Sequence, residues 1–434
     1  MKLNRLTTLV ALTIAGAACS AAPQTTDNVG TEADSLEAMG GQSSGSSSSA
    51  HVLVALRQTN LIRSPEAPAA RLTDELHRNA WGAGFTANGL YWTAANATGK
   101  GLAYSGVGPA GATPSRAREV NMTRASGEKG NARPTGQYEV LTPTGTQSTT
   151  VFKGDSVGWV TEDGEIFGLL RSNTEPVTDA ELRVDNSADG ASYKGVAIVE
   201  ASKEQLRAGE ARLYAADFAN AKIDIFDQDY QQLSCDGFSI RDVENGYAPF
   251  NVMIDKDIVY VAFARQQACE DDPTSGHGGS GGGSRACQPE EVHAPGAGLI
   301  NAYDLQGNLL AELVRPGGQL NAPWGMQVTT RKVGEIPAGS LLVGNFGDGT
   351  IHVYEIKQGS KLKSQARHLG VVGDANKLPA RKALVIPQLW DLVMVDPDIT
   401  QGGIQKSGIF FASGPNDETA GLSGRLDMPT RSDP

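Results

Sequence analysis

The 434-residue chain is poor in the residues from which several common kinds of site are built. Its four cysteines, at positions 19, 235, 269 and 287, have no spacing that suits a zinc site, and no C-x-x-C-H string for haem attachment occurs. The six histidines, at 51, 77, 277, 293, 352 and 368, show no metal-ligand spacing such as H-E-x-x-H. His352 alternates within a strand pattern and reads as a half-buried sheet residue, while His277 and His293 read as solvated loop histidines rather than transition-metal ligands. Basic residues are scattered and outnumbered, 37 Lys and Arg against 49 Asp and Glu, for a net charge of -12. Without clustered cations to neutralise phosphates, no nucleic-acid partner is expected. Helical periodicity is sparse, with Lys203 to Ala208 the one helix-like stretch of note, and the apolar run Leu6 to Ile14 is too short to span a bilayer. Two strings imitate catalytic motifs without their context. Gly41-Gln42-Ser43-Ser44-Gly45 matches G-x-S-x-G with no strand before it, and Gly276-His277-Gly278-Gly279-Ser280-Gly281 matches G-x-G-x-x-G but opens no helix.

What is present begins with an address. Lys2 and Arg5, the apolar Leu6 to Ile14 and the small residues Ala15-Gly16-Ala17-Ala18 before Cys19 have the layout of a secretory signal over residues 1–19. Small residues directly before a cysteine resemble the lipobox of bacterial lipoproteins, which implies acylation of Cys19 and a lipid-anchored cell-envelope protein. Gly16 departs from the aliphatic residue usual three places before that cysteine, so cleavage near Ala17 or Ala22, giving a secreted or periplasmic protein, is the alternative. Residues 20–50 hold almost no large apolar side chain and end in a Gly/Ser run, which reads as a flexible leash. A folded domain is expected over 51–426, with a disordered tail at 427–434. Loss of Lys2 and Arg5 with the leader brings the net charge to -14. In an oxidising compartment a Cys269–Cys287 disulfide closing a Gly/Ser-rich insert is expected, with Cys235 free; three unpaired thiols are the alternative.

The domain is repetitive. A small or Pro residue, an aromatic, Gly or Asn and then alternating apolar residues recur at Ala80-Trp81-Gly82, Pro249-Phe250-Asn251, Pro323-Trp324-Gly325 and Leu389-Trp390-Asp391, with Tyr193-Lys194-Gly195 a weaker copy. Each copy is followed by a second strand ending in an amide or acid, a turn, and a third strand. Period-two strands separated by Asp-Gly and Gly-Asn turns read as antiparallel meanders, and such sheets bury both faces by stacking radially. The fold expected is all-β, a single β-propeller of six four-stranded antiparallel blades with anchors near Trp81, Gly136, Gly195, Phe250, Trp324 and Trp390. The faint second anchor leaves five or seven blades as alternatives.

Seven ordered strings carry a resemblance across residues 55 to 424. They are Trp81-Gly82, Thr161-Glu162-Asp163-Gly164, Val184-Asp185-Asn186-Ser187 with Tyr193-Lys194-Gly195, Tyr214-Ala215-Ala216-Asp217-Phe218, Gly246-Tyr247-Ala248-Pro249-Phe250-Asn251, Leu342-Val343-Gly344-Asn345-Phe346-Gly347-Asp348-Gly349 and Gly414-Pro415-Asn416-Asp417-Glu418. The chain is similar to a family of secreted bacterial propellers of the NHL-like or gluconolactonase-like kind, a resemblance that implies the fold and no activity. Asp391, where glycine would be expected after Trp390, and the Cys269 to Cys287 insert depart from it.

In a propeller the loops entering each inner strand and leaving each second strand share one face. Asn96, Asp217, Asn345, Asn416 and Asp417, with Glu162, Asp163 and Asn251 nearby, are therefore candidate ligand-binding residues on the channel rim. Asp217, Asn345 and Asn416 are the candidate ligands for a hard cation such as Ca²⁺. Against this stands ordinary turn chemistry, since Asn and Asp at strand ends bond their own backbone, and the aromatic anchors read as packing. Two functions follow as expectations. One is a monomeric binding or interaction scaffold for a protein, glycan or small-molecule ligand; the other is a divalent-metal-dependent, lactonase-like hydrolase using the rim oxygens.

Overall fold

A computed structural model describes residues 51–108, 112–125, 130–141, 151–199, 211–234, 237–239, 243, 246–267, 288–356, 365–377, 382–395 and 408–429. Cys19, Cys235, Cys269 and Cys287, the leader, the Gly/Ser linker, His277 and the helix-like stretch at 203–208 lie outside these residues.

The protein is a β-propeller. Among the described residues its strands pair into five sheets, and the largest, of nine strands, divides at Val52–Arg63 into two four-stranded units, which gives six units in all. Their first strands are Ala80–Phe85, Pro134–Glu139, Tyr193–Val199, Tyr247–Asp255, Pro323–Val328 and Leu389–Met394, and each of the expected anchors falls on one of them. These inner strands touch one another in sequence, and the sixth touches the first, so they form a closed ring around a central axis. Each inner strand slips register against the second strand of its unit within a few residues of its start. A bulge there bends the strand and re-aims its side chains.

Alignment on that bulge explains the repeat. The first residue at the slip is Trp81, Thr135, Lys194, Phe250, Trp324 or Trp390, and the next is Gly82, Gly136, Gly195, Asn251, Gly325 or Asp391. Glycine is required by the close approach of neighbouring inner strands. A Cβ on Gly136 would lie 2.8 Å from the backbone nitrogen of Val196, and one on Gly82 would lie 2.7 Å from that of Gln137. Where the side chain is kept, it bonds the next strand instead. Asn251 Nδ2 donates to the carbonyl of Trp324 at 2.8 Å, and Asp391 Oδ2 accepts from the Ala83 nitrogen at 2.8 Å. The departure from Trp-Gly at Asp391 is thus a staple between the last unit and the first.

Apolar clusters fill the spaces between adjacent units, as at Leu342, Ile351, Leu392 and Phe411 between the fifth and sixth and Tyr260, Ile300, Leu341 and Val343 between the fourth and fifth. Each large side chain so buried contributes roughly 1.5–3 kcal/mol, which holds the faces of adjacent units together. The ring is closed by Val52–Arg63. Its later half pairs antiparallel with Leu422–Asp427 as the outer strand of the sixth unit, while Val52 to Leu56 run parallel to Arg367–Asp374 of the fifth. The last strand includes Asp427, the first residue of the expected tail.

Candidate functional site

The channel is plugged. Trp81 and Trp390 lie 3.7 Å apart by ring centroid, Phe346 stacks on Trp390 at 3.8 Å, and Trp324 and Phe250 close the circle at 5.9 and 6.0 Å from Trp390. The aromatic anchors pack on one another across the axis. Asn79, held at a positive φ of 44° before the first inner strand, accepts from the indole nitrogens of both Trp81 and Trp390 at 2.9 Å. Its amide nitrogen faces the other way and donates to Glu418 Oε2 at 2.7 Å. One amide therefore couples the apolar plug to a polar layer at the end of the channel where the inner strands begin.

That layer is built around Lys194. Its neighbours in the ring are mostly aromatic, and it is 4% exposed, so its ammonium must find a partner. Nζ donates to Glu162 Oε1 at 2.6 Å and lies 5.1 Å over the Trp81 ring. Glu162 Oε2 accepts from Asn96 Nδ2 at 3.1 Å and lies 3.5 Å from Arg133. Burial alone would raise the Glu162 pKa, but the charges of Lys194 and Arg133 and these hydrogen bonds outweigh it and hold the carboxyl at about 2. Glu418 has the opposite fate. Burial, reinforced by the charges of Glu291 and Glu162, pushes it up to about 8, so it stays protonated at neutral pH. It is carried by a turn in which Asn416, Asp417 and Glu418 all have positive φ, a costly run for residues with a Cβ. The fourth unit contributes a short strand, Glu290–Glu291, paired to Gln266 and Gln267. Gln288 Nε2 reaches the Glu162 carbonyl at 3.2 Å, and His293 Nε2 lies 3.2 Å from Glu291 Oε1, a bond that raises the histidine pKa. Glu291 Oε2 is buried and accepts no hydrogen bond.

The expected rim residues divide accordingly. Asn96 and Glu162 meet in the polar layer, and Asp163 flanks it, tied to Arg124 at 2.7 Å and to Arg133 at 3.3 Å. Asp217 accepts from the Ser192 nitrogen at 3.0 Å and from the Asn220 side chain at 2.7 Å, and Asn345 accepts from the Asn321 nitrogen at 3.1 Å. Together with Asp163, which accepts from the Arg133 nitrogen at 2.8 Å, they show one device repeated in three units. An Asn or Asp at the end of the second strand, or for Asp163 in the turn that follows it, pins the backbone just ahead of the inner strand, the turn chemistry set against ligation above. Asn251 lines the channel wall, and Asn416 and Asp417 are exposed, with Asn416 Nδ2 donating to the Glu66 carbonyl at 3.2 Å. Asp217, Asn345 and Asn416 sit in three separate networks, and among the described residues no group of three or more His, Cys, Asp or Glu is placed to hold a metal ion.

Lys194, Glu418, Asn79, Glu291 and His293 were not legible as site residues. The one available signal was that Lys194 and Thr135 stand, in the aligned repeat, where the other copies have Trp or Phe.

No protein-family model matches the chain. It is 29% identical over 218 residues to an uncharacterised protein of Acanthamoeba polyphaga mimivirus, covering 49% of this chain and 48% of that one. A second uncharacterised mimivirus protein is 30% identical over 179 residues, 40% of this chain and 28% of its own. The chain thus spans less than half the length of these relatives. Among solved structures it is similar to virginiamycin B lyase from Staphylococcus aureus, at 9% identity and TM-score 0.44, covering 86% of this chain and 99% of that one. It is also similar to a gluconolactonase from Xanthomonas campestris, at 16% identity and TM-score 0.33, covering 71% and 94%. These likenesses concern the propeller fold alone.

Proposed function

We propose that the protein is an exported, lipid-anchored binding propeller whose ligand, a polar small molecule, docks on the layer around Lys194. The observation that carries this is convergence. Side chains from five of the six units meet there: Asn96, Glu162, Lys194, Glu291 with His293, and Glu418. Buried charge is costly to assemble, and nothing about the fold requires it where aromatic residues fill the same ring elsewhere. The unmatched Glu291 oxygen calls for a donor. The anchor rests on the Cys19 leader pattern. Calorimetric and thermal-shift titration with sugars, hydroxy acids and lactones tests the site. A hit should be lost in Glu291→Gln with Glu418→Gln and kept in Asp217→Asn; hits that survive the double change, or none at all, would refute it.

A hydrolase reading has one observation on its side. Glu418, neutral at pH 7, can donate a proton beside the ionised Glu162. Turnover of a lactone that falls above pH 8 and disappears in Glu418→Gln would favour it over simple binding.

A further inference from the structure

At the opposite end of the channel, where the inner strands finish, all six of them line a funnel of about 330 Å³. This is within the size range of small-molecule sites. Its walls are apolar at Met326, Met394, Leu392, Val252 and Ile254. Among the described residues its polar lining is Gln137, Glu139, Asn251, Gln327 and Asp391, with the Tyr138 hydroxyl turned away onto Tyr230 at 2.7 Å. Among the described residues no Lys, Arg or His belongs to it.

The two carboxyl groups flank one stretch of backbone. Asp391 accepts from the Ala83 nitrogen on one side, and Glu139 lies so close to Gly84 on the other that a Cβ there would sit 2.0 Å from its Oε1. Glycine at 84 makes the room. The amides are turned into the walls. Gln137 Nε2 donates to Glu139 Oε1 at 2.8 Å and to the Trp92 carbonyl at 3.1 Å, Asn251 Nδ2 to the Trp324 carbonyl, and Gln327 Nε2 to the Val328 carbonyl at 2.8 Å. Gln137 is only 9% exposed, and its Oε1 accepts no hydrogen bond. The funnel therefore meets an occupant with oxygen acceptors and apolar walls, and with no positive charge to balance its two acids.

We propose that this funnel is a second binding site, for a primary ammonium compound with an apolar body of about six carbons, its N–H groups shared among Glu139, Asp391 and Gln137 Oε1. A charge-assisted donor suits two carboxylates and an amide oxygen, and the methionine and aliphatic walls suit a short hydrocarbon. An anionic or acceptor-only ligand would meet repulsion instead. Both acids are pushed up to about 7, chiefly by burial, so bound ammonium must displace protons as pH falls.

The test titrates the full chain with n-hexylammonium, 1-hexanol and hexanoate, which share one hydrocarbon chain, at pH 6 and pH 8. Hexylammonium should bind about ten-fold more tightly than 1-hexanol at pH 8, and the preference should shrink several-fold at pH 6. Glu139→Gln should bring the two ligands close to parity. Gln137→Leu, which removes the unmatched acceptor together with the amide that donates to Glu139 Oε1, should also weaken the preference several-fold. Equal or tighter binding of 1-hexanol or hexanoate, an undiminished preference in both variants, displacement of the amine by equimolar Ca²⁺, or no binding of any probe would each overturn the proposal.

Discussion

Replacing Glu139 by Gln should stabilise the protein, and only at neutral to alkaline pH. Burial in the funnel wall lifts this carboxyl from an ordinary 4.5 to about 7, so the folded protein holds the proton more tightly than the unfolded chain does. For an acid raised in this way the stabilising contribution is full below pH 4.5 and is lost as pH climbs toward 7, where the folded state must begin to ionise a buried group. At about 1.4 kcal/mol for each tenfold change in acidity, complete loss corresponds to roughly 3 kcal/mol. Glu139 is half-buried and borders an open funnel whose water screens it, which trims this to about 2 kcal/mol. Gln is nearly isosteric with the protonated acid, carries no charge at any pH, and keeps a side-chain oxygen to accept from Gln137 Nε2, which donates to Glu139 Oε1 at 2.8 Å. Urea unfolding at pH 4 and pH 8 should therefore give equal stabilities at the lower pH. At the higher pH Glu139→Gln should lead by about 2 kcal/mol, or about 2–3 °C in Tm for a domain of this size. A difference that does not change between the two pH values, or a variant weaker at pH 8, would show that Glu139 is already ionised and satisfied, and would remove the electrostatic picture of the funnel.

Gly136→Ala forces a Cβ to 2.8 Å from the Val196 nitrogen and should cost about 2–3 kcal/mol in urea unfolding, whereas Gly190→Ala, in open space at φ 69°, should cost about 1. Lys194→Met leaves Glu162 without its nearest cation and should destabilise by about 3–5 kcal/mol, with adding Glu162→Gln restoring part of the loss. Truncation that removes Val52–Arg63 should abolish the cooperative calorimetric transition by opening the ring, while truncation ending at residue 50 should leave the melt unchanged. A chelator should not shift the melt, because Asp217 and Asn345 already accept backbone N–H groups.

The propeller was written into the chain because its signals are local. Alternating apolar residues, turns between short strands and an aromatic-glycine anchor are all read within one meander, and each of the six anchors marks an inner strand. The Asn and Asp residues at strand ends were legible as turn formers for the same reason, and Asp217 and Asn345 perform that role. Asn96 and Glu162 were found because strand topology alone sends them to one rim. Their partners were not. Lys194 is a single lysine in a strand, and Glu418 a single acid in a turn, until ring closure sets them against Glu162 and Asn79. Asp391 read as a local irregularity in the repeat, yet it bonds the first unit from the sixth and lines the funnel. Val52–Arg63 carried no mark of the two sheets it joins. Secondary structure follows from neighbours in sequence, while the protonation of Glu418, Glu139 and Asp391 and the pairing of Lys194 follow from which blades meet. The closed ring brings them together, and it removes the water that would otherwise have kept those groups ordinary.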